Sequence, residues 1–223
     1  RGGPFWKEAV WDALELLADS EAVAQVLPMA REAFRDSSAR VRVAVMKFLA
    51  QARSQGFLFP ESWRSEMIQA LRDSSVDMRV LAHSFLFSVD STAAVAEARK
   101  WIEEERSESG RVHALMMLIL KARDTHAVAV LQREYDCYGA ISSRSTALLA
   151  LALAYQEIPS LRSYILPVLE QAAFTASPWY LRLQLVQFLR FRIQRDAAIR
   201  KLLERVKKEE NHPILRKYYE ALL

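Results

Sequence analysis

The sequence predicts an all-α chain organised as a row of antiparallel helix pairs, and three observations carry that expectation. Apolar residues recur at i, i+3, i+4 and i+7, which places them on one helix face, while period-two alternation is nowhere sustained. A short motif returns with a period of about 35 residues. Glycine is scarce, 5 in 223 residues, against about 7% in average chains, which disfavours turn-rich β folds and glycine-loop nucleotide sites. With 52% apolar residues and one cysteine, the composition excludes intrinsic disorder and a disulfide scaffold.

The elements follow in chain order. A first stripe reads Trp6, Ala9, Val10, Ala13, Leu14, Leu17. Asp19 and Ser20 are candidate caps for a helix over 20–34. The turn Arg35-Asp36-Ser37-Ser38 leads into the stripe Val41, Ala44, Val45, Phe48, Leu49, Ala52. The longest connection, 53–59, holds Gly56-Phe57-Leu58-Phe59, whose three apolar residues are expected to plug the core rather than bind a partner. Pro60 suits the first turn of a helix reaching Leu71. The turn then recurs as Arg72-Asp73-Ser74-Ser75, followed by Met78, Leu81, Ala82, Phe85, Leu86, Val89.

Ser91 and Asp124 are candidate caps for helices over 91–105 and 124–135, Pro159 opens one reaching Ala173, and Asp196 opens one reaching Glu209. Between them stand the anchoring pairs Val112-His113, Ser145-Thr146 and Leu181-Arg182, and Leu215-Arg216 opens a final stripe of Leu215, Tyr218, Tyr219, Leu222 and Leu223. Together with Trp6-Lys7, Val41-Arg42 and Met78-Arg79, the anchors fall at 7, 42, 79, 113, 146, 182 and 216. No single pair buries its own apolar face, so neighbours are expected to stack.

The motif of a turn Asp followed by an apolar–Arg pair, Asp36 with Val41-Arg42 and Asp73 with Met78-Arg79, resembles the HEAT-repeat family within the HEAT and armadillo class of α-solenoids. Leu181-Arg182 and Leu215-Arg216 keep the pair without the Asp, and Pro28 and Pro167 lie inside first helices, where such repeats often kink. The units at 113 and 146 lack both Asp and Arg and are placed by spacing alone. The resemblance implies a right-handed α-α superhelix of about six to seven HEAT-like hairpins over residues 1–223. It also implies that Asp36, Arg42, Asp73, Arg79 and Arg216 are structural, pairing along the stack. Such a superhelix should exceed the radius of gyration of about 17 Å that a compact chain of this length adopts. The final apolar stripe carries the expectation that the chain is a segment of a longer protein.

The residues suggest no catalysis. His83, His113, His126 and His212 form no metal-ligand spacing, and there is no phosphate loop, dinucleotide fingerprint or nucleophile elbow. No cofactor and no metal are expected. Ser37-Ser38 and Ser74-Ser75 read as caps, and Glu103-Glu104-Glu105 as a solvated helix end. The longest apolar run, 147–155, is too short for a bilayer, which needs about 20 residues. Lone Cys137 fits a reducing compartment, so a cytoplasmic location is expected.

The formal charge of +4 conceals a strong asymmetry. Residues 1–176 sum to −2 and residues 177–223 to +6. Arg182, Arg190, Arg192, Arg195, Lys207 and Lys208, with Trp179 and Tyr180 nearby, form the candidate partner-binding set. The first expectation is a non-catalytic scaffold that offers an extended surface to a protein or peptide. The second is nucleic-acid binding through the basic end. A third, enzymatic expectation follows from resemblance alone: some DNA glycosylases for alkylated purines and some bilin lyases share this architecture, with Trp101, Trp179, Asp136 and Glu170 as imaginable site residues.

Overall fold

A computed structural model of the chain describes residues 4–16 and 20–223. Asp19 and Leu17 lie outside the described residues, so the proposed Asp19 cap and the end of the first stripe do too. Among the described residues all regular structure is helical: α1 (Pro4–Leu16), α2 (Ser20–Ala33), α3 (Ala39–Ser54), α4 (Trp63–Ala70), α5 (Val76–Val89), α6 (Ser91–Glu104), α7 (Glu108–Ala122), α8 (Thr125–Tyr135), α9 (Ile141–Glu157), α10 (Arg162–Thr175), α11 (Trp179–Leu189), α12 (Ala197–Glu209) and α13 (Pro213–Leu222). Short 3₁₀ turns at Pro159–Leu161 and Arg190–Arg192 lead into α10 and out of α11.

The chain divides into two compact units, Arg1–Lys100 and Trp101–Leu223. In the first, α1 packs on α3 and α3 on α5, while α2 lies against α3 and α4 against α5. In the second, α7 packs on α9 and α9 on α11, with α8, α10 and α12 as successive neighbours and α13 against α12. Within each unit, therefore, alternate helices form a row.

That arrangement explains which side chains the stripes bury. All six stripe residues of α3 are buried, and so is Met46 off the stripe, because α3 has a row neighbour on either side. The first stripe behaves differently. Trp6, Ala9, Val10 and Ala13 are exposed, and α1 instead turns Trp11 inward against Phe48, with ring centres 5.5 Å apart. The expectation that Trp6, Ala9, Val10 and Ala13 face the core is thus overturned: α1 has one row neighbour, α3, and Trp11 is the residue that faces it.

The long connection plugs the core as expected. Phe57 and Phe59 pack on the first unit's core, Phe59 edge-to-face on Phe85 and Trp63, whereas Leu58 points to solvent. Gly56 makes the sharp turn at φ +95°, a left-handed conformation that suits glycine.

Asp124 and Asp196 cap α8 and α12 with paired acceptor bonds to backbone N–H groups. Ser91 is the first residue of α6 rather than its cap, since Asp90 accepts from the Ala93 N–H at 2.9 Å. Residues 60–62 form a turn ahead of α4, so that helix starts three residues later than Pro60 suggests. Of the serine turns, Ser75 caps α5 through its hydroxyl, while at Ser38 the side chain makes no cap bond.

Candidate functional site

A basic residue occupies the fourth position of every odd-numbered helix: Lys7, Arg42, Arg79, Arg111, Arg144, Arg182 and Arg216. The units at 113 and 146 therefore do not lack the arginine. It stands at 111 and 144, two residues before the positions that the apolar spacing selects. His113 is instead buried within α7, edge-to-face with Trp101.

Four of these basic groups do the same local work. Arg42 and Arg79 each donate through Nη1 to the carbonyl six residues earlier, of Asp36 and Asp73, at 2.7 Å. Arg144 and Arg182 repeat the six-residue reach to the carbonyls of Tyr138 and Ala176. Each arginine thereby ties down the turn ahead of its own helix.

Several also reach forward to the next turn. Arg42 forms a two-pronged pair with Asp73, both bonds 2.7 Å long, with side chains only 11% and 12% exposed. Lys7 donates to Asp36 at 2.6 Å. Arg182 grips Glu210 at 2.9 and 3.0 Å, its side chain 17% exposed and that of Glu210 5%. Where the position three residues ahead of the next odd-numbered helix carries no acid, as at Tyr138 and Ala176, a substitute serves: Arg111 pairs with Glu134, and Arg144 donates to the Ser177 carbonyl at 2.9 Å.

Asp36, Asp73, Glu105 and Glu210 stand three residues ahead of α3, α5, α7 and α13. Each accepts from the N–H two residues on, at 2.7–2.9 Å. Burial pushes the Asp73 and Glu210 carboxyls up. The bonds from Arg42 and Arg182, with those backbone N–H groups, outweigh it and hold both below the usual carboxylate range. Lys7 and the Ser38 N–H hold Asp36 down likewise.

At the basic end the sequence-predicted set divides. Arg182 is committed to Glu210, and Glu210 also accepts from the His212 N–H. The His212 ring lies parallel to Trp179 with centres 4.2 Å apart, and Tyr180 meets Trp179 edge-on. Trp179, Tyr180 and Arg182 therefore join α11 to the start of α13. Beside them lies a cavity of about 410 Å³ whose lining includes Phe174, Arg182, Glu210 and His212.

Arg192 donates to the Gln156 carbonyl at 2.8 Å, Arg190 lies over Phe191, and Arg195 and Lys208 are exposed, with Lys207 half-buried. Arg216 holds its ladder position on an exposed site of α13, and the terminal stripe turns inward, with Leu215 and Tyr219 buried.

A second open surface lies on α1 and α2, where Trp6, Val10 and Met29 line a groove of about 340 Å³. The residues imagined for catalysis take separate partners: Trp101 donates to Glu105, Asp136 accepts from Gln171, Glu170 pairs with Arg205, and Trp179 stacks on His212. Among the described residues no three His, Cys, Asp or Glu groups converge as a metal site would require. None of the helices described is long and apolar enough to cross a membrane. Comparison with protein-family models, with curated protein sequences and with solved structures returned no match.

Sequence reasoning placed Lys7 in the series but missed Arg111, Arg144, Glu134 and Glu210 as ladder members, and Phe191 as a surface residue. The signal for Arg111 and Arg144 was a basic residue near the start of each apolar run, and for Glu210 an acid six residues before Arg216, as Asp36 and Asp73 precede Arg42 and Arg79; Glu134 carried none. Phe191 was marked by its place between two arginines outside any α-helix.

Proposed function

We propose that this chain is a non-catalytic helical-repeat scaffold of the HEAT and armadillo type. Its stacked hairpins, six to seven in a right-handed superhelix, present an extended surface to a protein or peptide partner. The supporting observation is the basic ladder, one residue at the same position of seven helices, four of which fasten the turn ahead of their helix by the same six-residue bond. A repeat fastened in that way leaves its outward side chains free to vary, as repeat surfaces that bind proteins require. The exposed Cys137 is compatible with a reducing, cytoplasmic setting.

The groove at Trp6, Val10 and Met29 is the apolar part of that surface. A nuclease-treated extract passed over the immobilised chain should yield a protein that cross-links to it, and Val10→Glu should reduce the yield without lowering the melting temperature. Capture that survives only while nucleic acid is present would overturn the scaffold proposal.

A further inference from the structure

The turn between α11 and α12 holds an aromatic ring in solvent beside a guanidinium group. Phe191 is 70% exposed, and the guanidinium carbon of Arg190 lies 4.5 Å from the ring centre. The turn beneath it is firmly seated. Ile193 is buried, Arg192 is fastened to the Gln156 carbonyl, and Asp196 caps α12 while accepting from the Tyr155 hydroxyl at 3.0 Å. The ring is thus displayed by an anchored support, and so open a position leaves the face away from Arg190 in solvent.

Nearby in sequence, Gln187, Gln194 and Arg195 are all exposed. Guanidinium groups suit phosphate oxygens, amides suit base edges, and an open ring face suits a base. We propose that this turn binds single-stranded nucleic acid, with an unpaired base stacked on Phe191 and adjacent phosphates held by Arg190 and Arg195. The exposed Lys201 and Lys208 of α12 add attraction along the strand within a segment of net charge +6.

A membrane is the poorer fit. Binding to a bilayer scales with the apolar area inserted, and this turn offers one exposed ring beside a guanidinium rather than an apolar face. Duplex is also disfavoured, because its bases are stacked on one another and only an unpaired base can reach the ring. The site is separate from the α1–α2 groove and does not depend on the scaffold proposal.

Fluorescence anisotropy with a labelled oligo-dT strand of about 12 nucleotides, within the range of known single-strand sites, tests the site on the full chain. The two phosphate contacts of Arg190 and Arg195 should give a log K against log salt slope of about −1.4. Phe191→Ala and Phe191→Leu should each weaken binding about tenfold, the worth of one base–aromatic stack, and Phe191→Tyr should retain it. Arg195→Gln should flatten the slope by about 0.7. Since Phe191 is exposed, unchanged melting temperatures certify that the variants are folded. Three results would each sink the proposal: no strand binding at low salt, Phe191→Leu matching the wild type, or tighter binding to phosphatidylserine vesicles or an acidic peptide than to the strand.

Discussion

Arg42 uses its whole guanidinium in the ladder. Its guanidinium makes two bonds to Asp73 and two to the carbonyls of Asp36 and Ser37, at 2.7 to 3.2 Å, with little exposure to water. Removing one member of such a pair leaves the other charge without its partner and two carbonyls without donors. Arg42→Ala should cost about 2–3 kcal/mol in urea unfolding, and Arg42→Lys should recover only part of it, because an ammonium cannot form the two-pronged bond. Arg200→Ala is the contrasting case. Its pair with Glu204 is about half exposed on both sides, so the loss should stay below about 0.5 kcal/mol.

The sequence made Arg42, Arg79 and Asp73 legible because the turn spells out the acid and the arginine together. Arg111 escaped because its forward partner, Glu134, sits at the end of a helix instead of in the turn, where no spacing rule would look for it.

At the scale of elements, the helices were readable wherever a cap or a one-sided stripe defined them. Asp124 and Asp196 sit where capping chemistry places them, and the stripes of α3 and α5 are largely buried as their spacing implies. What spacing could not supply was rotational phase. α7 and α9 are apolar around most of their circumference, since each has neighbours on several sides, and a frame shifted by two residues still fits them. α1 is the opposite case, with a clear stripe that faces outward. The decisive residue is Trp11, opposite that stripe and packed on Phe48. Trp11→Ala should therefore destabilise by about 3 kcal/mol or more, as large aromatic truncations in a core do. Trp6→Ala, by contrast, should change little, since that side chain is 53% exposed. Equal losses for the two would mean that α1 is rotated so that the stripe faces the core.

Over the whole molecule, the carboxylates of the ladder and the buried His83 contribute to how stability depends on pH, and they act in different windows. His83 is fully buried and its Nε2–H donates to the Ala94 carbonyl at 3.2 Å. Burial lowers its pKa to about 4, against the opposing pull of the Ala94 carbonyl and of the Glu97 charge. Between about 6.5 and 4 the unfolded chain therefore binds a proton there that the folded chain refuses, so stability falls as pH falls through that range, by about 3 kcal/mol in total. The carboxyls of Asp36, Asp73 and Glu210 are shifted down by their partners, so the unfolded chain takes up their protons first. Their stabilisation is complete at neutral pH and is lost only below about pH 4, as the ladder pairs are protonated apart. Urea midpoints followed by tryptophan fluorescence should thus decline in two stages on acidification. His83→Leu should abolish the first stage, leaving a plateau down to about pH 4.5, and should leave the second intact. A midpoint that stays flat from pH 6.5 to 4.5 in the wild type would show that His83 is charged in the folded protein.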